Sequence, residues 1–249
     1  LDSVAKNPTG SLDALEKYDL AVIAKPTETF SDAEKQVLDQ YIINGGKTLW
    51  LVDQVVAEMD SLYNSAGATL AYPRDLNLND LFFKYGIRIN PDLIMDEQGS
   101  AIKLATGEQG SASQYQEFNW KFAPQVYPIS PHPIVKNLGG IKFDFANPID
   151  TLKNGIKKTI LLQSSPYSKK IGAPVEVNLN SVSEETSPSD YLNKGNIPLS
   201  VLLEGPFHSM FENRVLPFEQ KSFEAKGKEN KMIVISDGDL IRNQLDKNF

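Results

Sequence analysis

The chain has 249 residues, 41% of them hydrophobic and 23% charged, with a formal net charge of -7 and no cysteine. That length fits one large α/β domain or two small ones, and the composition is that of a folded globular protein. The acidic balance disfavours nucleic acid and anionic lipid as partners, and the lack of Cys removes disulfides, thiolate nucleophiles and Cys-based metal sites.

The chain starts at Leu1 with no basic leader and no apolar run near the roughly 18 residues of a membrane helix. Its first residues read like the middle of a loop, so it is expected to be a single soluble domain, 1–249, excised from a longer protein. Asn7-Pro8-Thr9-Gly10 is a turn signal, and Ser11–Lys17 suits a short helix. Leu20–Ala24 is a continuous apolar run, the pattern of a strand buried on both faces, and Pro26 ends it. Ser31 and Glu34 have capping-box spacing, and Ala33, Val37, Leu38, Tyr41 and Ile42 recur with helical period. Gly45 or Gly46 stops that helix before a second strand, Leu49–Val52. Two apolar runs around one amphipathic helix form the βαβ grammar of a parallel sheet.

Residues 54–70 carry mixed helical character. A helix is expected around Asp80–Tyr85 with Gly86 as its cap, and Asp92–Met95 as a strand. The middle, about 97–150, is a loop- and β-rich excursion. Gln98–Ser100 and Gly107–Ser113 are polar; Tyr115, Phe118, Trp120 and Phe122 follow in rough alternation, as a strand with an aromatic face. Tyr127–Pro133 is a proline-rich connector, and Ile141–Phe145 reads as a strand. Thr159–Leu162 and Ile197–Leu203 are buried-type strands around a long loop at 178–196, and Glu204-Gly205-Pro206 ends the second. Residues 217–230 read as an exposed loop, Lys231–Ser236 as the last strand, and a short helix is expected from Leu240. The core sheet is therefore assigned to about 15–95 and 155–249.

Ligands of open parallel sheets sit beyond the carboxyl ends of the strands. Those ends carry Lys25, Asp53, Ser164-Ser165 and Asp237-Gly238-Asp239. Converging carboxylates there could hold a divalent cation, but Asp after a strand more often caps the next helix, so no metal is assigned. His132 and His208 are the only histidines, and no nucleophile elbow or phosphate loop is present. No catalytic residue and no cofactor are assigned. The candidate binding residues are Lys25, Asp53, Tyr115, Trp120, His132, Asp237 and Asp239, the aromatics offering stacking surface to a sugar or a partner.

Tyr18–Pro26 with Ser31-x-x-Glu34 and Gly45-Gly46-Lys-Thr-Leu49 resembles the first half of the ABC-transporter-associated GldG family. Leu78–Ile89 with Asp92, His132-Pro-Ile134, Pro198–Val201 with Glu204-Gly205, and Met232–Asp237 continue the resemblance in order over nearly the whole chain. It implies a non-enzymatic extracytoplasmic component of an ABC transporter linked to gliding motility, acting by binding protein or carbohydrate. It also implies permease and ATPase partners and a place on the periplasmic side of the inner membrane with a membrane-anchored parent protein; separately, edge strands of such a sheet can pair between copies, which makes a homo-oligomer a further candidate. The implied fold is a Rossmann-like, parallel-rich sheet similar to class I glutamine amidotransferases, and a domain of intraflagellar-transport proteins is similar. The Cys triad of those enzymes is absent. The alternative is an amidotransferase-like hydrolase with a non-Cys nucleophile, using Ser164, Ser165 or His132. Asp2-Ser3-Val4, Asp60-Ser61-Leu62 and Asp150-Thr151-Leu152 match the O-glycosylation tripeptides of gliding bacteria.

Overall fold

The computed structural model describes residues 4–106 and 114–242. The polar run 107–113, the tripeptide residues Asp2 and Ser3, and the end of the helix expected from Leu240 lie outside them. Within them, Leu240 and Ile241 form a turn.

Five strands make the central sheet, in the order Leu20–Ala24, Lys47–Leu51, Lys226–Ile235, Pro198–His208, Lys157–Gln163. The first three run parallel, Pro198–His208 is antiparallel to both its neighbours, and the sheet is therefore mixed. Four smaller sheets of two or three strands surround it. The fold is mixed α/β.

The local rules for the first unit hold. Ser31 and Glu34 close a reciprocal capping box at the start of Asp32–Ile43, and Gly45 leaves the helix at φ 103°. Gly86 ends Asn79–Tyr85 at φ 92°, in the left-handed region where a side chain is disfavoured. The helix Asp32–Ile43 and the short helix Asn79–Tyr85 pack one face of the sheet through Val37, Tyr41, Trp50, Phe82, Tyr85, Val201 and Val234. A second cluster, around Trp120, Phe122, Phe145 and Leu93, fills the body built from the middle of the chain. A third, with Phe143, Leu161, Leu199 and Leu202, lies between that body and the sheet.

Five expectations change. Leu20–Ala24 is an edge strand, not one buried on both faces; Leu20 and Val22 are each 51% exposed. An apolar run shows that no water-facing charge is placed there, not that something covers it. Residues 54–70 split into Val55–Val56, the helix Met59–Asn64 and the start of the strand Ala68–Pro73. Gly205 and Pro206 do not end their strand, which bends there (Gly205 φ 146°) and continues to His208. Residues 217–230 are not a free loop: Phe218–Glu224 cover Gln36 and Gln40 of Asp32–Ile43, and 226–230 already belong to the last strand. Finally, only Ile141–Lys142 pair as a regular strand, while Phe143 and Phe145 keep amide bonds to Pro124 O and Phe122 O of the same partner and bury their rings as core anchors.

The central sheet draws its strands from 20–51 and 157–235, a little narrower than assigned from sequence. The excursion reaches back before residue 97 as well, since Asp92–Asp96 pairs with Ser168–Gly172 and Ala68–Pro73 with Val175–Asn178.

Candidate functional site at the strand ends

Leu20–Ala24, Lys47–Leu51, Lys157–Gln163 and Lys226–Ile235 all point their carboxyl ends the same way, because the one reversed strand lies between the last two. Lys25, Asp53, Asp237 and Asp239 therefore meet at one end of the sheet, as the strand-end rule expects. Lys25 Nζ lies 2.5 Å from Asp239 Oδ2 and 2.8 Å from Glu58 Oε1. Burial lowers the Lys25 pKa, but its hydrogen bonds to Asp239 and Glu58 outweigh that and leave it above its usual value.

Asp53 and Asp237 are buried. Asp53 Oδ1 accepts the Gly238 amide at 2.6 Å. Asp237 Oδ1 accepts from the Asp239 amide at 2.7 Å, and Oδ2 from the Asp144 amide at 2.8 Å. Gly238 is required by this approach: a Cβ there would stand 2.7 Å from Asp53 Oδ2 and 2.8 Å from Lys25 Cγ. Burial pushes the Asp53 carboxyl up to about 6, against the pull of the Gly238 amide and Lys25. Burial, the largest cause, and the Asp53 charge push Asp237 up to about 8, which the amides of Asp144 and Asp239 only partly offset.

What would be an open crevice in a doubly wound sheet is filled. The segment Phe143–Asn147 of the excursion enters it, with Phe143, Phe145, Ala146 and Asn147 all buried. Asn147 is the central tie. Its amide donates to Ser236 O at 3.0 Å, its Oδ1 accepts the Gln54 amide at 2.6 Å, and its Nδ2 donates to Asp92 O at 2.8 Å. Asn147 and Glu58 were not singled out in the sequence. Asn147-Pro148 is a turn dipeptide inside an apolar run, which was the available signal. Among the described residues, no group of three or more His, Asp or Glu is arranged to hold a metal ion.

The remaining candidates lie elsewhere. Trp120 is fully enclosed, with its ring against Phe122 at 5.3 Å and Phe145 at 6.4 Å between centroids, so it offers no free face. Tyr115 is exposed, and strand parity sets it opposite Phe118, Trp120 and Phe122. His132 Nδ1 accepts the Ile134 amide within its own turn. His208 pairs with Glu212.

The family described as an ABC-type uncharacterized transport system matches the chain over residues 1–249. The chain belongs to that family, as an auxiliary component of an ABC transport system. Its fold is also similar to the solved mmIFT52 N-terminal domain, at a TM-score of 0.44 and 16% identity, covering 92% of this chain and 70% of that one. No curated protein matches.

In this transport-system protein the two strand-end serines are committed to their loop. Ser164 Oγ lies 2.6 Å from Ser168 Oγ and accepts the Ile197 amide; Ser165 Oγ donates to the buried Asp96 at 2.5 Å. Beside them opens a shallow cleft of about 200 Å³, lined by Gln98, Gln125, Tyr127, Gln163 and Asn196 among others. Ser164 and Ser165 line it as well, so its polar lining is amide, phenol and serine, and Tyr127 is largely exposed.

Proposed function

We infer that the protein is a non-enzymatic, extracytoplasmic auxiliary subunit of an ABC transporter in the gliding-motility group that GldG represents, acting by binding a permease and ATPase assembly. The observation that carries this reading is the filled crevice. The place where an enzyme of this sheet type would hold substrate is occupied by Phe143–Asn147, and the buried acids there hold backbone amides instead. The reading takes the sheet as a relative of the glutamine-amidotransferase fold without its Cys nucleophile. It also places the domain on the periplasmic side of the inner membrane with an anchored parent chain; no helix among the described residues is long and apolar enough to cross a membrane.

Against the hydrolase alternative stand the hydrogen bonds that fix Ser164 and Ser165 and the turn that holds the His132 imidazole. A carbohydrate ligand fits the amide-lined cleft better than the enclosed Trp120, because neutral sugars are bound by amide hydrogen bonds and an aromatic face. Thr151 of the glycosylation-like tripeptides is exposed, whereas Ser61 is half-buried.

The test is affinity purification of the full-length protein from its own membranes. Permease and ATPase subunits in constant ratio support the reading. Recovery without either subunit, or a hydrolase activity lost on Ser164→Ala or Ser165→Ala, overturns it.

A further inference from the structure

The two edges of the central sheet are built differently. The strand Lys157–Gln163 carries Lys157 and Lys158, and its pairing is irregular between Ile160 and Leu162 and again between Leu162 and Gln163. Charge and bulges are the devices that keep an edge from pairing with another chain. Leu20–Ala24, at the opposite edge, has neither. It contains no charge and no proline, and its register with Lys47–Leu51 is unbroken.

The open main-chain groups follow from the ladder. Asp19 O accepts from the Lys47 amide and the Lys25 amide donates to Leu51 O, so the odd residues turn toward the neighbouring strand. Leu20, Val22 and Ala24 therefore direct their main-chain N–H and C=O outward. The side chains of these same three residues are exposed on one face, Leu20 and Val22 at 51% each, while Ala21 and Ile23 turn into the core.

We propose that Leu20–Ala24 is a self-association edge, pairing antiparallel with the same strand of a second copy across a two-fold axis at Val22. In that register Leu20 stands opposite Ala24 of the other copy and Val22 opposite Val22, all in hydrogen-bonded positions, for about six main-chain bonds. The apolar side chains of both copies form one continuous row. The ends of the pair are complementary in charge: the register sets exposed Asp19 opposite Lys25 of the other copy, and the two-fold axis repeats that contact at the other end. A strand this short gives an interface in the small, transient class, with dissociation roughly in the micromolar-to-millimolar range.

These 249 residues carry no cysteine, and any cysteine elsewhere in the full-length protein is replaced by Ser for the test. A hydrogen-bonded antiparallel pair sets its Cα atoms about 5.5 Å apart, within disulfide reach. The full-length protein with Val22→Cys is therefore expected to form a covalent homodimer under mild oxidation, whereas Leu70→Cys, exposed on another sheet, does not. Sedimentation of the wild type is expected to show concentration-dependent dimer, weakened at least tenfold by Val22→Lys. Wild type that stays monomeric, folded Val22→Cys protein that fails to cross-link to itself or links to a different protein, or a dimer unchanged by Val22→Lys would each overturn the proposal. Should Val22→Lys fail to fold, the cysteine variant decides alone.

Discussion

Two buried acidic joints hold later parts of the chain onto the first βαβ unit, and they differ in kind. On the outer face of the helix Asp32–Ile43, Asp39 receives Ser209 Oγ at 2.5 Å, the Met210 amide at 2.8 Å, Tyr85 Oη at 2.7 Å and Gln40 Nε2 at 3.2 Å. Burial raises its pKa, and those four donors pull it back only in part. Gln36 and Gln40 extend the same joint to Phe218, Gln220 and Glu224. At the strand ends, Asp53 receives one backbone amide and Asp237 two, and the Asp53 charge raises the cost of ionising Asp237. The first joint is saturated with donors. The second is held by few bonds and leans on protonation. Number of donors, rather than depth of burial, sets how far each carboxyl is pushed up: Asp39 with four donors is raised, while Asp53 with one and Asp237 with two, the latter beside the Asp53 charge, reach about 6 and about 8.

That contrast is broken most severely at Asp39. Asp39→Ala leaves Ser209, Tyr85 and the Met210 amide without an acceptor in a dry site, and is expected to cost about 3 kcal/mol or more in urea unfolding. Asn147→Ala comes next, at about 2 kcal/mol, because the Gln54 amide and Asp92 O lose their side-chain partner. Its loss should loosen the excursion from the sheet, seen as faster proteolysis within 141–149 than in the parent. Gly238→Ala is expected to cost about 1–3 kcal/mol, since the added methyl meets the Asp53 carboxyl and the Lys25 stem at under 3 Å.

The pH dependence is the finest separation of the two joints. Asp53 and Asp237 have folded-state values of about 6 and about 8, both above the ordinary 3.8. The folded protein therefore holds protons that the unfolded chain has released between about pH 4 and 8. Their contribution is present in full below the unfolded value and is lost as pH rises through 6 and then 8. The unfolding free energy, and with it the melting temperature, is expected to fall from pH 5 to pH 8.5, by about 1.4 kcal/mol per pH unit for each of the two carboxyls that stays protonated in the folded state. Asp237→Asn, which stays neutral throughout, should flatten the upper part of that slope.

Much of the first unit was legible because its signals are local. Ser31-x-x-Glu34, Gly45 and Gly86 act within one helical turn, and the convergence of Lys25, Asp53 and Asp237 follows from a rule about strand ends. What was not legible depends on pairing at long range. Nothing near Asp39 announces that Ser209, far along the chain, will donate to it, and the polar tone of 217–230 hides its role as a cover for Gln36 and Gln40. The exposure of Leu20 and Val22 was missed for the same reason, since an apolar run does not say which strands lie beside it. Trp120 shows the converse: an aromatic in an alternating strand reads equally as a binding surface or as core, and only the positions of Phe122 and Phe145 decide.

The claim that most needs a direct test is that the strand-end crevice is closed by Phe143–Asn147. Native-state hydrogen exchange measures it at the amides of Asp144, Asn147 and Gly238, which donate to Asp237, Ser236 O and Asp53. A closed crevice predicts protection of these three close to that of the central strand Pro198–His208, falling when Asn147 is replaced by Ala. Exchange of Asp144 and Asn147 as fast as in the exposed turns, with the central strand still protected, would mean the segment opens readily, and would contradict the account.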